Sequence, residues 1–162
     1  MVCPPFLLHL RKIWRSALIG GASALLLALV GMVETFHQRA VISNLLSVGQ
    51  VLFLFPIWYA TYVSVRQMQA ERKNVLIASF TAGIVGSLPL VFLLLIGSVI
   101  NLRAMLVNAS PALYRILTFG KALGPGVLLL IIVSALVTFT AGLLLQLSPR
   151  WQRTLIQGFV WL

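Results

Sequence analysis

The chain has 162 residues, of which 60% are hydrophobic and 9% charged, and its 12 Lys and Arg against 2 acidic residues set a net charge of +10. Typical soluble domains are about a quarter charged, and so few charges cannot cover a water-soluble fold of this size. The basic residues flank apolar runs and form no single patch, which points to lipid head groups and topology and away from nucleic acid, and a lone cysteine, Cys3, excludes an internal disulfide or a Cys-based metal cluster.

Residues 1–15 form a basic lead ending in "RKIWR". Ser16 to Val33 is the first apolar segment. Its core is longer than the usual signal-peptide core and no clear small-x-small cleavage site closes it, so it reads as a signal anchor that stays. It stops at "ETFHQR", where Glu34, His37 and Arg39 follow one another closely. Asn44 to Val65 is the second span, with Pro56 inside it, followed by the polar loop "RQMQAERKN". The third span runs over 75–100, contains Pro89, and is long enough to tilt or kink.

"SPALYRILTFGK", residues 110–121, opens on a Ser-Pro pair suited to a helix start. Helical spacing puts Leu113, Ile116, Leu117 and Gly120 on one face and Arg115 and Lys121 elsewhere. Two readings stand: an amphipathic helix lying in the membrane interface, or a covered loop packed on the bundle. The fourth span covers 125–147, with Pro125 at its start. Residues 148–162 combine a basic stretch with "LIQGFVWL", the start of a further apolar segment. The expected fold is therefore all-α: an integral membrane bundle of four transmembrane helices, near 16–33, 44–65, 75–100 and 125–147, with a short interfacial helix.

Basic residues divide unevenly between the two sides of such a bundle. Arg11, Lys12, Arg15, Arg66, Arg72, Lys73, Arg150 and Arg153 fall on one side; Arg39, Arg103, Arg115 and Lys121 fall on the other. The larger group marks the cytoplasmic side, so both ends are expected in the cytoplasm of a bacterial inner membrane.

Few residues suggest chemistry. Glu34 lies at a span's end, where a carboxylate reaches water and Arg39 can pair with it, so Glu34 and His37 read as boundary residues and not as a proton or metal site. No span contains a His, so a His-ligated haem or pigment inside the bundle is not expected, His37 being the one surface candidate. Asn44, Ser47, Gln50 and Thr61 are polar positions in the second span, expected to hydrogen-bond between helices. Gly20 with Ala24, and Ala82 with Gly86, provide small surfaces for close helix contact. The phosphate-binding loop and the Ser-His-Asp and His-Glu-x-x-His patterns are all missing. An enzyme is not expected, and no catalytic, cofactor-binding or metal-binding residue is assigned.

The most distinctive stretches are "GMVETFHQRAVISNLLSVGQVLFL" and "NLRAMLVNASPALYRILTFGKALGPGVLLLIIVSAL". They resemble the hydrophobic amino-terminal extension of some bacterial branched-chain amino acid ABC transporter permeases, over most of residues 16–147. The permease core and its coupling helix are not visible, so no residue inherits a transport role. The resemblance implies a non-catalytic permease segment with ATPase and substrate-binding subunits as partners. The alternative is a small structural subunit of a photosynthetic or respiratory membrane complex. In both cases the expected partners are the lipid bilayer and other membrane subunits, with no nucleic acid.

Overall fold

The computed structural model describes residues 5–31, 40–42, 46–67, 72–99 and 111–146. Helix α1 spans Pro5–Leu29. Proline suits a first helical turn because its missing N–H has no intrahelical partner there. The basic residues Arg11, Lys12 and Arg15, expected in a lead, therefore ride on the helix itself, and its apolar part is Leu10–Leu29. The helix stops short of the expected Val33. Gly31 sits at φ 85°, the left-handed conformation that ends helices, and its N–H donates to the Ala28 carbonyl at 3.2 Å.

Between the first two spans lies a minimal antiparallel pair, β1 (Ala40–Ile42) and β2 (Leu46–Ser47), with Ala40 opposite Ser47 and Ile42 opposite Leu46. Apart from this pair, the described elements are all helices. Val41 and Ile42 are β-branched, and residues 43–45 read Ser-Asn-Leu, which includes turn-favouring types.

Helix α2 (Val48–Arg66) begins after Ser47, not at Asn44, because Ser47 and Gln50 form a capping box. Helix α3 (Arg72–Val99) is continuous through Pro89. The short helix α4 covers Pro111–Leu117, and α5 covers Leu123–Gln146, placing Pro125 inside the first turn. Four helices are long and apolar enough to cross a membrane: Leu10–Leu29, Val48–Arg66, Lys73–Val99 and Leu123–Gln146. At 1.5 Å per residue, α3 and α5 are about 42 and 36 Å long, enough for a hydrocarbon core of about 30 Å. The chain is a multi-pass, all-α membrane protein.

Helix α1 packs along α2 and α3, and α5 packs along α3 and α2, so α1 and α5 occupy opposite corners of the bundle. Small residues let the backbones approach. A Cβ placed on Gly20 would lie 2.8 Å from both the Ala60 Cβ and the Pro56 carbonyl oxygen of α2. One on Gly21 would collide with the Gly86 carbonyl of α3 and lie 3.0 Å from the Pro89 ring. Ala24 and Ala82 are fully buried, so the small pairs noted in the sequence do lie in helix interfaces.

Two apolar clusters fill the interior. One holds Ile13, Ala17, Val65, Val75, Ala78 and Ala82, near the start of α1, the end of α2 and the start of α3. The larger one, toward the opposite end, includes Phe53, Ile57, Leu90, Leu94 and Leu130 together with Leu113, Ile116 and Leu117 of α4. The outer surface is itself apolar, with Ile19, Leu26, Phe55, Phe92 and Leu128 all more than half exposed. Such a surface is stable against lipid and unstable against water.

Candidate functional site

Helix α4 and the turn behind it close one end of the bundle. Leu113, Ile116 and Leu117 are buried against the core while Arg115 is exposed, which is the division their helical spacing dictates. The helix ends at Leu117, before the expected residue 121. The Phe119 N–H donates to the Ile116 carbonyl at 3.2 Å and the Gly120 N–H to the Arg115 carbonyl at 2.8 Å. This is the double bond pattern of a Schellman ending. Phe119 and Gly120 take φ values of 53° and 72°. Gly120 is consequently turned outward, away from the apolar face assigned to it.

The Schellman turn reverses the chain and carries it on to Lys121, which lines the same cavity as Arg115. Together with Gly97 and Ser98 of α3, Tyr114 and Thr118, and Leu123 at the start of α5, they line a cavity of about 340 Å³. Gly97 makes room for Tyr114: a Cβ there would overlap the Tyr114 hydroxyl. That hydroxyl is buried with no hydrogen-bond partner. Burial raises the Tyr114 phenol above its ordinary value of 10.0, so it is a neutral donor at physiological pH. Thr118 is committed locally, its hydroxyl donating to the Tyr114 carbonyl at 2.8 Å. Arg115 and Lys121 are both exposed at the cavity. The first turn of α5 carries no acidic residue, and its amino end adds the positive end of the helix dipole. The cavity is positive, supplied with donors, and suited to an anion.

The opposite end of the bundle is also basic. Arg11, Lys12, Arg15, Arg66 and Lys73 are all exposed there, and the Lys12 ammonium donates to the Gln67 Oε1 at 3.2 Å. The described charged side chains thus sit at the two ends of the bundle, and the interior between them is held by neutral polar contacts. Ser134 Oγ donates to the Gly83 carbonyl at 3.0 Å and Ser16 Oγ to the Ala60 carbonyl at 3.2 Å, while on the exposed face Trp58 Nε1 donates to Thr140 Oγ1 at 3.1 Å.

The polar residues expected to bond between helices are used differently. The Ser47 side chain accepts from the Gln50 N–H at 3.3 Å, and the Gln50 Oε1 accepts from the Ser47 N–H at 2.9 Å. Thr61 donates to the Ile57 carbonyl of its own helix at 2.8 Å. The Ser47–Gln50 bonds are local because a span's first turn leaves free N–H groups that the nearest side chains reach first, and Thr61, deep in α2, bonds back to the carbonyl one turn earlier. Asn44, Cys3, Glu34, His37 and Arg39 lie outside the described residues, as does the side chain of His9. Among the described residues no cluster of His, Cys, Asp or Glu could hold a metal.

Sequence reasoning placed Arg115 and Lys121 off an apolar face but did not join them to Tyr114 and Gly97. It also missed a stacked aromatic strip on α2. Phe55 stacks on Trp58 and on Tyr59, each at 6.1 Å, and Trp58 stacks on Tyr62 at 5.5 Å. The spacing of positions 55, 58, 59 and 62 was its visible signal. The chain matches no known protein family, no curated protein and no solved structure.

Proposed function

We propose that the chain is a non-catalytic, membrane-embedded scaffold within a larger membrane assembly. The observation that carries this reading is the make-up of the bundle interior. Its helix interfaces are built from Ala, Gly, Ser and Thr at close approach, and the exposed cations are confined to the ends. Proton and ion paths through membranes rely on ionisable residues within the spans, and among the described residues the charged ones in the spans, Arg11, Lys12, Arg15, Arg66 and Lys73, stay near the span ends.

The likeness of residues 16–147 to a permease extension makes an ABC-type amino acid transporter the first assembly to test, with the ATPase and substrate-binding subunits as neighbours. The bundle is oriented with the Arg11, Lys12, Arg15, Arg66 and Lys73 end in the cytoplasm, in a bacterial inner membrane, by the positive-inside rule. A second reading, a small structural subunit of a photosynthetic or respiratory complex, is favoured by the outward aromatic strip of α2. Aromatic residues are enriched at protein interfaces, and Phe55 and Tyr59 are each 54% exposed.

Mild-detergent purification of the tagged full-length protein, followed by native mass spectrometry, tests both. Stoichiometric ATPase and substrate-binding subunits support the transporter reading. Pigment-bearing or respiratory subunits support the second. Isolation of the chain alone, under conditions that keep known assemblies of its membrane intact, overturns the scaffold proposal.

A further inference from the structure

The cavity closed by α4 has the chemistry of an anion site and the position of a lipid site. We propose that it seats the phosphate-bearing headgroup of an anionic membrane lipid.

Three observations converge on the charge of the occupant. Arg115 and Lys121 project at the same cavity from two sides of the Schellman turn. The amino end of α5 meets it through Leu123. No Asp or Glu occurs anywhere from residue 72 to residue 162, so this half of the chain supplies no carboxylate of its own to neutralise the pair. A fourth observation concerns hydrogen bonding. The Tyr114 hydroxyl is buried without a partner, and buried polar groups normally have one. An oxygen-rich anion in the cavity supplies the acceptor it lacks. Phosphate suits this set because it accepts charge-assisted bonds from Arg and Lys together with a hydroxyl donor.

The location argues for a lipid over a free ion. Ser98 lies in the last turn of α3 and Leu123 begins α5, so the cavity lies at the level where spans of this length leave the hydrocarbon core and enter the headgroup layer. Beside it stand exposed apolar side chains, Val99 at 85% and Leu123 at 39%, which offer acyl chains a path along the bundle.

The test uses the full chain in detergent, with phosphatidylglycerol, phosphatidylcholine and inorganic phosphate as separate probes, and bound lipid counted by native mass spectrometry. Three variants are compared with the wild type: Arg115→Gln with Lys121→Gln, Tyr114→Phe, and Arg66→Gln with Lys73→Gln. The two double variants remove equal charge at opposite ends, and Tyr114→Phe keeps the ring that fills the space beside Gly97. Phosphatidylglycerol is expected to be retained over phosphatidylcholine. Its affinity should fall about tenfold or more in the Arg115/Lys121 variant, where charged hydrogen bonds are lost, and about two- to fivefold in Tyr114→Phe. The Arg66/Lys73 variant should be unchanged. Equal loss in both double variants means general surface attraction and overturns the proposal. So does equal retention of the two lipids, or binding of inorganic phosphate that depends on Arg115 and Lys121 with no preference for the anionic lipid. Thermal unfolding of each variant confirms that it is folded when measured.

Discussion

Ser134 on α5 donates its hydroxyl to the carbonyl oxygen of Gly83 on α3 at 3.0 Å. The bond forms because Gly83 has no side chain to hold the helices apart. A Cβ there would collide with Thr138 Oγ1 and lie 2.6 Å from the Ala135 Cα and 2.7 Å from the Ser134 carbonyl oxygen. The nearest obstacles include backbone, which cannot rotate away as a flexible side-chain tip can.

Gly83→Ala is therefore expected to destabilise the bundle. Overpacking costs about 1–3 kcal/mol, against about 1 kcal/mol that Ala gains over Gly in helix propensity. Ser134→Ala leaves the backbones in place and should cost only about 0.6 kcal/mol, the average for such bonds in membranes. Denaturant unfolding in mixed micelles measures both. A Gly83→Ala protein as stable as the wild type would show that α3 and α5 are not held this closely.

Phe119 presents a conflict between backbone and side chain. Its φ of 53° costs a non-glycine residue about 1 kcal/mol. Its ring packs edge-on against the buried Phe53 at 6.4 Å and 74°, an arrangement worth about 0.5–1.5 kcal/mol beyond the area it buries. The packing outweighs the strain, so Phe119→Gly and Phe119→Ala should both lower stability. The alanine variant should be lower than the glycine variant by about 1 kcal/mol, because only glycine relieves the backbone. Thermal melts of the three proteins rank them, and an alanine variant equal to or above the glycine variant refutes the role of the left-handed turn.

The four spans were legible because a bilayer forces one answer on a long apolar run: a helix that satisfies its own backbone. Their ends were less legible, since they depend on local chemistry that hydropathy does not weigh. Gly31 ends α1 before the apolar run does, and Ser47 starts α2 after the run has begun. The Ser47-x-x-Gln50 spacing was itself a capping-box signature, yet inside an apolar segment it read as polar glue between helices. Arg115 and Lys121 were visible as charges beside an apolar face. Their convergence was not, because it needs a tyrosine to fit against a glycine on another helix, Tyr114 on Gly97, and a left-handed residue, Phe119, whose type gives no hint of that conformation. The aromatic strip on α2 was fully written in its spacing, and only its stacking required coordinates.

Orientation in the membrane is tested with single cysteines in a Cys3→Ser background. Gln67 and Ala122 are exposed and lie at opposite ends of the bundle. Six described basic residues, Arg11, Lys12, Arg15, Arg66, Arg72 and Lys73, mark the Gln67 end, and Arg115 and Lys121 mark the other. Positive residues are retained on the cytoplasmic side. A membrane-impermeant maleimide added to intact cells, with the outer barrier opened, should label Ala122→Cys at once and Gln67→Cys only after the inner membrane is permeabilised. The reverse order inverts the topology.

Tyr114 links the structure to alkaline pH. Burial disfavours the phenolate and raises its pKa above the ordinary 10.0. The folded state thus holds the proton more tightly than the unfolded chain. Below pH 10.0 both states are neutral and the contribution is fully present; as pH rises through the folded value the unfolded chain has already ionised and the contribution is lost. The stability difference between the wild type and Tyr114→Phe should accordingly stay constant from neutral pH to about 10 and then shift against the wild type. In parallel, the tyrosinate absorbance of the wild type minus that of Tyr114→Phe should titrate with a midpoint above 10.0. A midpoint at or below that value would mean that the hydroxyl is open to water, and that Gly97 and Tyr114 do not form the closed contact on which the shape of the cavity depends.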